Sequence, residues 1–149
     1  MTKFERKHLR ARDILTEPET CYQEAQRYMA NAKEHLKKTP IEYDRYQDAK
    51  PVREACGICY LGVLLALDGY FLTRGILKDK LPESTEGYEV LLKKQMVHNG
   101  KIKQAFYTVY ENLHLFGYYR GGVNVDMIKA GFKSAKLIID TLSVLLQKV

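Results

Sequence analysis

Residues Ala55 to Tyr70 read ACGICYLGVLLALDGY, and the fold follows from how this stretch is taken. Cys56-Gly57-Ile58-Cys59 has the C-x-x-C spacing of zinc sites and dithiol redox centres, whereas the mixture of small and long aliphatic residues suits a helix buried on most sides. Pro51 suits the first turn of a helix running to about Thr73, which puts Cys56 more than a turn inside it. There the dipole that lowers a thiol pKa at a helix N-terminus is largely spent. A thioredoxin-like site wants a βαβ context, and none is visible. A structural zinc site needs four ligands, yet Cys21 lies in another element and His8, His35, His98 and His114 stand singly. Meanwhile Ala55, Cys59, Gly62, Ala66 and Gly69 make a stripe of small residues that lets a neighbouring backbone come close. The stretch reads as a core helix, and neither a metal nor a cofactor is expected.

Outward from it, helical period dominates and strand alternation is hard to find. Thr16-Glu17-Pro18-Glu19 has the form of a capping box. Tyr22, Ala25, Met29, Ala32 and Leu36 then step by three and four until Lys37-Lys38-Thr39-Pro40 ends the first long helix. The segment IEYDRYQDAK after it is polar, tyrosine-rich and expected as a loop. Pro82 to Thr85 open a shorter helix that Asn99-Gly100 closes. Ile102, Phe106, Val109, Leu113 and Phe116 form the next stripe, with Gly117 and Gly121-Gly122 as its stop. Asn124 or Asp126 caps a last helix with Ile128, Phe132, Ala135, Ile139, Leu142 and Leu146 on its core face. The expected architecture is all-α: an up-and-down four-helix bundle with a short extra helix.

The 149 residues are expected as one bundle domain over 16–149 preceded by a basic arm over 1–15. Composition is globular, with 46% hydrophobic and 28% charged residues. The longest uncharged apolar run, Gly57 to Leu67, is shorter than the ~20 residues of a membrane span, so no membrane partner is expected. MTKFERKHLRARDIL lacks the apolar region of a secretory signal, and three cysteines form an odd set, which together favour a reduced cytoplasm. The net charge is +6, and much of the excess sits in Lys3, Arg6, Lys7, Arg10 and Arg12, opposed there only by Glu5. Such an arm can contact nucleic acid through phosphates, or simply form a solvated terminal helix on which Phe4, His8, Ala11 and Leu15 share a face.

Two constellations are candidate sites. Tyr107, Tyr110 and His114, followed by Tyr118, Tyr119 and Arg120, put aromatic rings and a cation together, an arrangement that holds a base or covers a dimer surface. Asp68 interrupts an apolar helix and is expected to face Tyr43-Asp44-Arg45-Tyr46 as a paired charge.

The passage VYENLHLFGYYRGGVNVDMIKAGFKSAKLIIDTL and the helix REACGICYLGVLLALDGYF resemble the HEPN superfamily of bacterial helical domains. More narrowly, Tyr22, Ala25, Arg27, Tyr28 and Ala32 in the pattern Y-x-x-A-x-R-Y-x-x-x-A, with YQD and GVLLALD, resemble a bacterial HEPN-like family known only as a domain of unknown function. The resemblance implies a four-helix bundle, frequently a homodimer, among relatives that cut RNA, accompany minimal nucleotidyltransferases or regulate. Its ribonucleases carry Arg, four to six residues, then His, and no arginine here is followed that way. Arg27 and His35 come nearest, but eight helical steps separate them by about 80° around the axis and about 12 Å along it, too far to share one phosphate. The expected function is therefore a non-catalytic homodimeric binding or accessory module contacting nucleotide or RNA. The alternatives are a divergent ribonuclease using His114 or His35, and the partner of a nucleotidyltransferase. The dimer is expected through the C-terminal half, using Tyr107, Tyr110, Tyr118, Tyr119, Ile138 and Leu145.

Overall fold

A computed structural model describes residues 17–96 and 99–147. In chain order these form α1 (Pro18–Leu36), a hairpin of β1 (Ile41–Glu42) and β2 (Arg45–Tyr46), α2 (Ala49–Thr73), a 3-10 turn (Lys78–Lys80), α3 (Thr85–Gln95), α4 (Gly100–Val109), a π-helix (Tyr110–Tyr119) and α5 (Val125–Gln147). The class is all-α with one small sheet. The basic arm and Thr16 lie outside the described residues.

α1 starts at Pro18 with Glu17 as a cap that makes no side-chain hydrogen bond; Pro18, which needs no N–H partner, stands at its first position. Tyr22, Ala25, Met29 and Ala32 are buried as their spacing predicts. α2 opens two residues before Pro51, where the Asp48 carboxylate accepts from the Lys50 N–H at 3.1 Å. By length and composition α2 could cross a membrane, although the uncharged run inside it is short. Most of its apolar stretch is instead buried by its neighbours within the fold.

The small residues of α2 are where α1 comes close. A Cβ on Gly62 would stand 3.0 Å from Tyr28 Cβ and 3.2 Å from the Ala25 carbonyl oxygen; one on Gly69 would stand 3.0 Å from Cys21 Cβ and 3.2 Å from the Pro18 oxygen. Two turns of α1 thus ride directly on the α2 backbone. On another side of α2, Cys56 meets Gly117 of the π-helix so closely that a Cβ on Gly117 would overlap its Sγ.

Several expectations are corrected. The tyrosine-rich loop is a hairpin: Tyr43 and Asp44 both have positive φ, 52° and 60°, the geometry of the tight turns that suit strand twist. β2 is held from its other side, since Tyr46 N–H donates to Val123 O at 2.9 Å and Val125 N–H donates to Asp44 O at 3.0 Å. Asn99-Gly100 begins α4 instead of closing α3. Asn99 Oδ1 accepts from Ile102 N–H at 3.1 Å, and asparagine serves as an N-cap as readily as a stop. The stripe from Ile102 does not stay α-helical; it widens into a π-helix at Tyr110, and Gly117 lies within that segment, not at its end. Gly121, at φ 71°, supplies the left-handed turn that stops it. Asn124 caps α5, accepting from Met127 N–H at 3.0 Å. Asp68 does not face the hairpin: it is buried and accepts from the Tyr88 hydroxyl of α3 at 2.8 Å. Ile138, expected at a dimer surface, is fully buried, and Leu145 packs partly against the core.

All three cysteines are free and buried. Burial pushes the Cys56 thiol up to about 12 and, with the nearby Asp68 charge, the Cys21 thiol up to about 11. Burial and then the Cys56 neighbour push the Cys59 thiol up as well, and its sulfur lies 3.9 Å from Met29 Sδ. Among the described residues no group of three or more His, Cys, Asp or Glu side chains could hold a metal ion. These are packing thiols.

The α1–α2 contact makes Gly62→Val and Gly69→Val each destabilising by roughly 1–3 kcal/mol. Gly100→Ala, where an added Cβ meets nothing within 4 Å, should be close to neutral. Urea melts check this, and equal behaviour of the three variants would remove the close backbone contact as the cause. The thiols give a pH signature. Folded-state values raised above the ordinary 9.0 leave stability intact below about pH 9 and erode it as pH climbs toward 12, because the unfolded chain ionises first. The Cys56→Ala, Cys59→Ala variant should stay folded with modest loss and show a shallower alkaline decline in melting temperature. An identical decline in both proteins would contradict this origin.

Candidate ligand groove

A groove of about 390 Å³ opens between the end of α1, the first half of α2 and the π-helix. Its lining is His35 from α1; Arg53, Glu54, Gly57, Ile58, Tyr60 and Leu61 from α2; and His114 and Tyr118 from the π-helix. This volume lies in the range of small-molecule sites, which pair a mostly apolar wall with a few placed polar groups.

The π-helix supplies the wall. It is bonded i→i+5, as in Arg120 N–H donating to Leu115 O at 2.9 Å, and residues four apart share one side of it. Tyr110 and His114 have ring centroids 5.6 Å apart, and His114 and Tyr118 6.1 Å apart, each pair inclined by 24°. Tyr60 crosses from α2 and stacks on His114 at 4.5 Å and 24°. The Tyr60 hydroxyl is fixed in turn by Thr85 Oγ1 at 2.8 Å, at the start of α3. Tyr118 rests on α2 where Gly57 has no side chain: a Cβ there would stand 3.2 Å from the ring. Desolvation lowers the His114 pKa from 6.5, so its imidazole is neutral at pH 7. Burial raises the Tyr60 pKa, which keeps its hydroxyl protonated.

Polar groups gather along one margin. His35 Nδ1 lies 3.0 Å from Glu54 Oε2, at ion-pair distance without the alignment of a hydrogen bond. The Arg53 Nη2 donates to Tyr119 O at 3.0 Å. Gly121 makes room for that guanidinium, since a Cβ there would stand 3.0 Å from Arg53 Nε. Arg53 therefore ties α2 to the turn that follows the aromatic wall.

Of the sequence candidates, Tyr110, His114 and Tyr118 come together, and His114 and Tyr118 line the groove. Tyr107 does not join them. It is exposed beside a separate hollow of about 270 Å³ with Glu89, Lys93, Lys103 and Phe106. Tyr119 and Arg120 are exposed beyond the wall, and Tyr119 contributes its backbone carbonyl instead of its ring. The arm residues Lys3, Arg6, Lys7, Arg10 and Arg12 lie outside the described residues. Arg27 and His35 stay apart: Arg27 bonds Glu24 at 2.7 Å and lies over the Tyr28 ring, whereas His35 turns to Glu54. Tyr60, Arg53, Glu54 and Gly57 were missed as site residues. Their one sequence signal is a charged pair at the mouth of an otherwise apolar helix.

Among solved structures, this chain is similar to a protein of unknown function from Dyadobacter fermentans, at 38% identity and a TM-score of 0.72, covering 85% of this chain and 96% of that one. No curated protein matches it. The family model described as Domain of unknown function (DUF5618) matches residues 20–144, a span that takes in most of α1, all of α2 and the π-helix, and every residue lining the groove. The chain belongs to the DUF5618 family.

Proposed function

We propose that this chain is a HEPN-like, non-catalytic binding or accessory module that works as a homodimer and takes a planar ring of a nucleotide or RNA into the groove. α1, α2, the α4–π-helix unit and α5 serve as the four helices of the bundle, with α3 as the short extra one. The observation that carries the reading is the stacked set Tyr60, His114 and Tyr118, whose last ring is 48% exposed beside the guanidinium of Arg53. An aromatic platform of this kind binds a base by stacking, worth roughly 1–3 kcal/mol per base. The polar margin contains both signs of charge, which suits hydrogen bonding to a ring edge. The arm supplies cations suited to phosphates.

For the dimer, the surface differs from the sequence expectation. Ile138 is withdrawn into the core, but Leu137 and Val144, seven residues apart on α5, are 43% and 51% exposed and share one outer face. That face is the contact in this reading, and it leaves Tyr118 free for ligand.

One observation favours a second reading. His35, His114 and Arg53 come from three separate segments to line the same groove, an acid, a base and a cation within one cleft. A divergent ribonuclease would use them directly. A nucleotidyltransferase partner is the further alternative that the family resemblance implies.

Titrating mononucleotides into the protein should quench tyrosine fluorescence, and Tyr118→Ala should weaken binding about ten-fold or more. Unchanged affinity in that variant would sink the ring-binding reading. Single-stranded RNA should stay intact; cleavage lost in both His35→Ala and His114→Ala would establish the ribonuclease instead. Light scattering should give about twice the chain mass of 17.3 kDa, falling to one chain in Leu137→Asp, Val144→Asp. A monomeric wild type would dismiss the dimer.

A further inference from the structure

The margin of the groove carries a chemical preference that goes one step beyond ring binding. Arg53 and Glu54 are consecutive, both line the groove, and each is held by a separate anchor. Arg53 spends one N–H on the Tyr119 carbonyl at 3.0 Å, and a guanidinium has five to give. Glu54 has Oε2 beside His35 Nδ1 at 3.0 Å, which leaves Oε1 with its full accepting capacity and Oε2 with part of it. The site therefore offers donors next to acceptors, at the end of a stack whose last ring, Tyr118, has one side on Gly57 and is otherwise half exposed.

The four RNA bases differ in what they ask of such an edge. Guanine alone places two acceptors, O6 and N7, beside two donors, the N1–H and the 2-amino group. The first pair suits a guanidinium and the second a carboxylate. Adenine puts an amino donor where guanine has O6 and a bare acceptor at N1, so Arg53 would meet a donor and Glu54 an acceptor lone pair. Cytosine repeats that mismatch, and uracil offers a single donor between two acceptors. Resting on the ring-binding reading above, we propose that the groove recognises guanine in an unpaired state, stacked on Tyr118, with O6 and N7 toward Arg53 and N1–H and the 2-amino group toward Glu54. Such a base comes as a free nucleotide or within single-stranded RNA, and the recognising chemistry is the same.

The test is calorimetric titration of the full chain with guanosine, inosine and adenosine 5′-monophosphates, which carry the same phosphate. In parallel, a short oligouridine with one central guanine is compared with its adenine counterpart. Guanosine monophosphate should bind about ten-fold or more tighter than adenosine monophosphate, with inosine monophosphate between because it lacks only the 2-amino group. Glu54→Gln keeps the shape of the side chain and should erase most of the guanine preference, by weakening guanine binding and by giving adenine N1 an amide donor where it met a carboxylate lone pair; Tyr118→Ala should weaken every base alike. Guanine preference confined to the oligonucleotides supports the assignment with RNA as the source, and preference confined to the mononucleotides supports it with free nucleotide. Equal affinity for guanine and adenine, both lost in Tyr118→Ala, overturns the guanine assignment and leaves ring binding standing. A guanine preference that survives in a folded Glu54→Gln protein, verified by its melting curve, also overturns it. No binding by any nucleotide or oligonucleotide overturns both readings together.

Discussion

Everything else in this fold depends on the absence of side chains at Gly62 and Gly69. Because α1 lies on the α2 backbone at both positions, with contacts of 3.0–3.2 Å to any added Cβ, the two helices hold one fixed relation over two turns. That relation carries His35, at the end of α1, to Glu54, at the start of α2. It also commits one side of α2, so that Cys56 and Gly57 are turned to the π-helix on another. The small residues in the C-x-x-C stretch thus serve packing on two fronts.

The π-helix is the second consequence. A ten-residue run of i→i+5 bonding is unusual, since such geometry mostly occurs as single-turn bulges and often at functional sites. Two contacts explain why it is tolerated here. Gly117 lets the widened segment settle on Cys56, and Gly131 of α5 lies where an added Cβ would meet Leu113. With one glycine within the segment and another facing it from α5, the wider helix fits where a side chain would push it off. Tyr110, His114 and Tyr118, four residues apart, line up along one side of it. The stop is as specific as the start: Gly121 is left-handed and also receives the Arg53 guanidinium, so the turn and the polar margin are one feature.

Long helices were legible because their apolar positions recur at three and four over four or more turns, and nothing tertiary competes with that period in α1, α2 and α5. The hairpin was not, because its turn uses Tyr43-Asp44 where Asn-Gly would announce it, and its stability comes from Val123 and Val125, about eighty residues downstream. The π-helix escaped for a related reason. Ile102, Phe106, Val109 and Leu113 are buried under either pitch, and the change at Tyr110 is decided by Cys56 and Gly117 meeting in space. Half of the groove followed the same division. Tyr110, His114 and Tyr118 are close in the chain and stood out by spacing, whereas Tyr60, Arg53, Glu54 and His35 join them only through the packing of α1, α2 and the π-helix.

The stack also determines where an incoming ring can sit. His114 has Tyr60 against it at 4.5 Å and Tyr110 and Tyr118 on either side along the helix, so its faces are already taken. Its lowered pKa adds that it brings no charge to the groove at neutral pH. Tyr110 packs partly into the core, and Tyr60 is buried with its hydroxyl engaged. Tyr118 is what remains: backed by Gly57, held by the stack and half exposed beside Arg53. A ring held from behind by a backbone and from the side by another ring loses little freedom when a ligand lands on it, so more of the stacking energy is left for binding. The platform is rigid for the same reason the helices are close, because glycine stands wherever two backbones must meet.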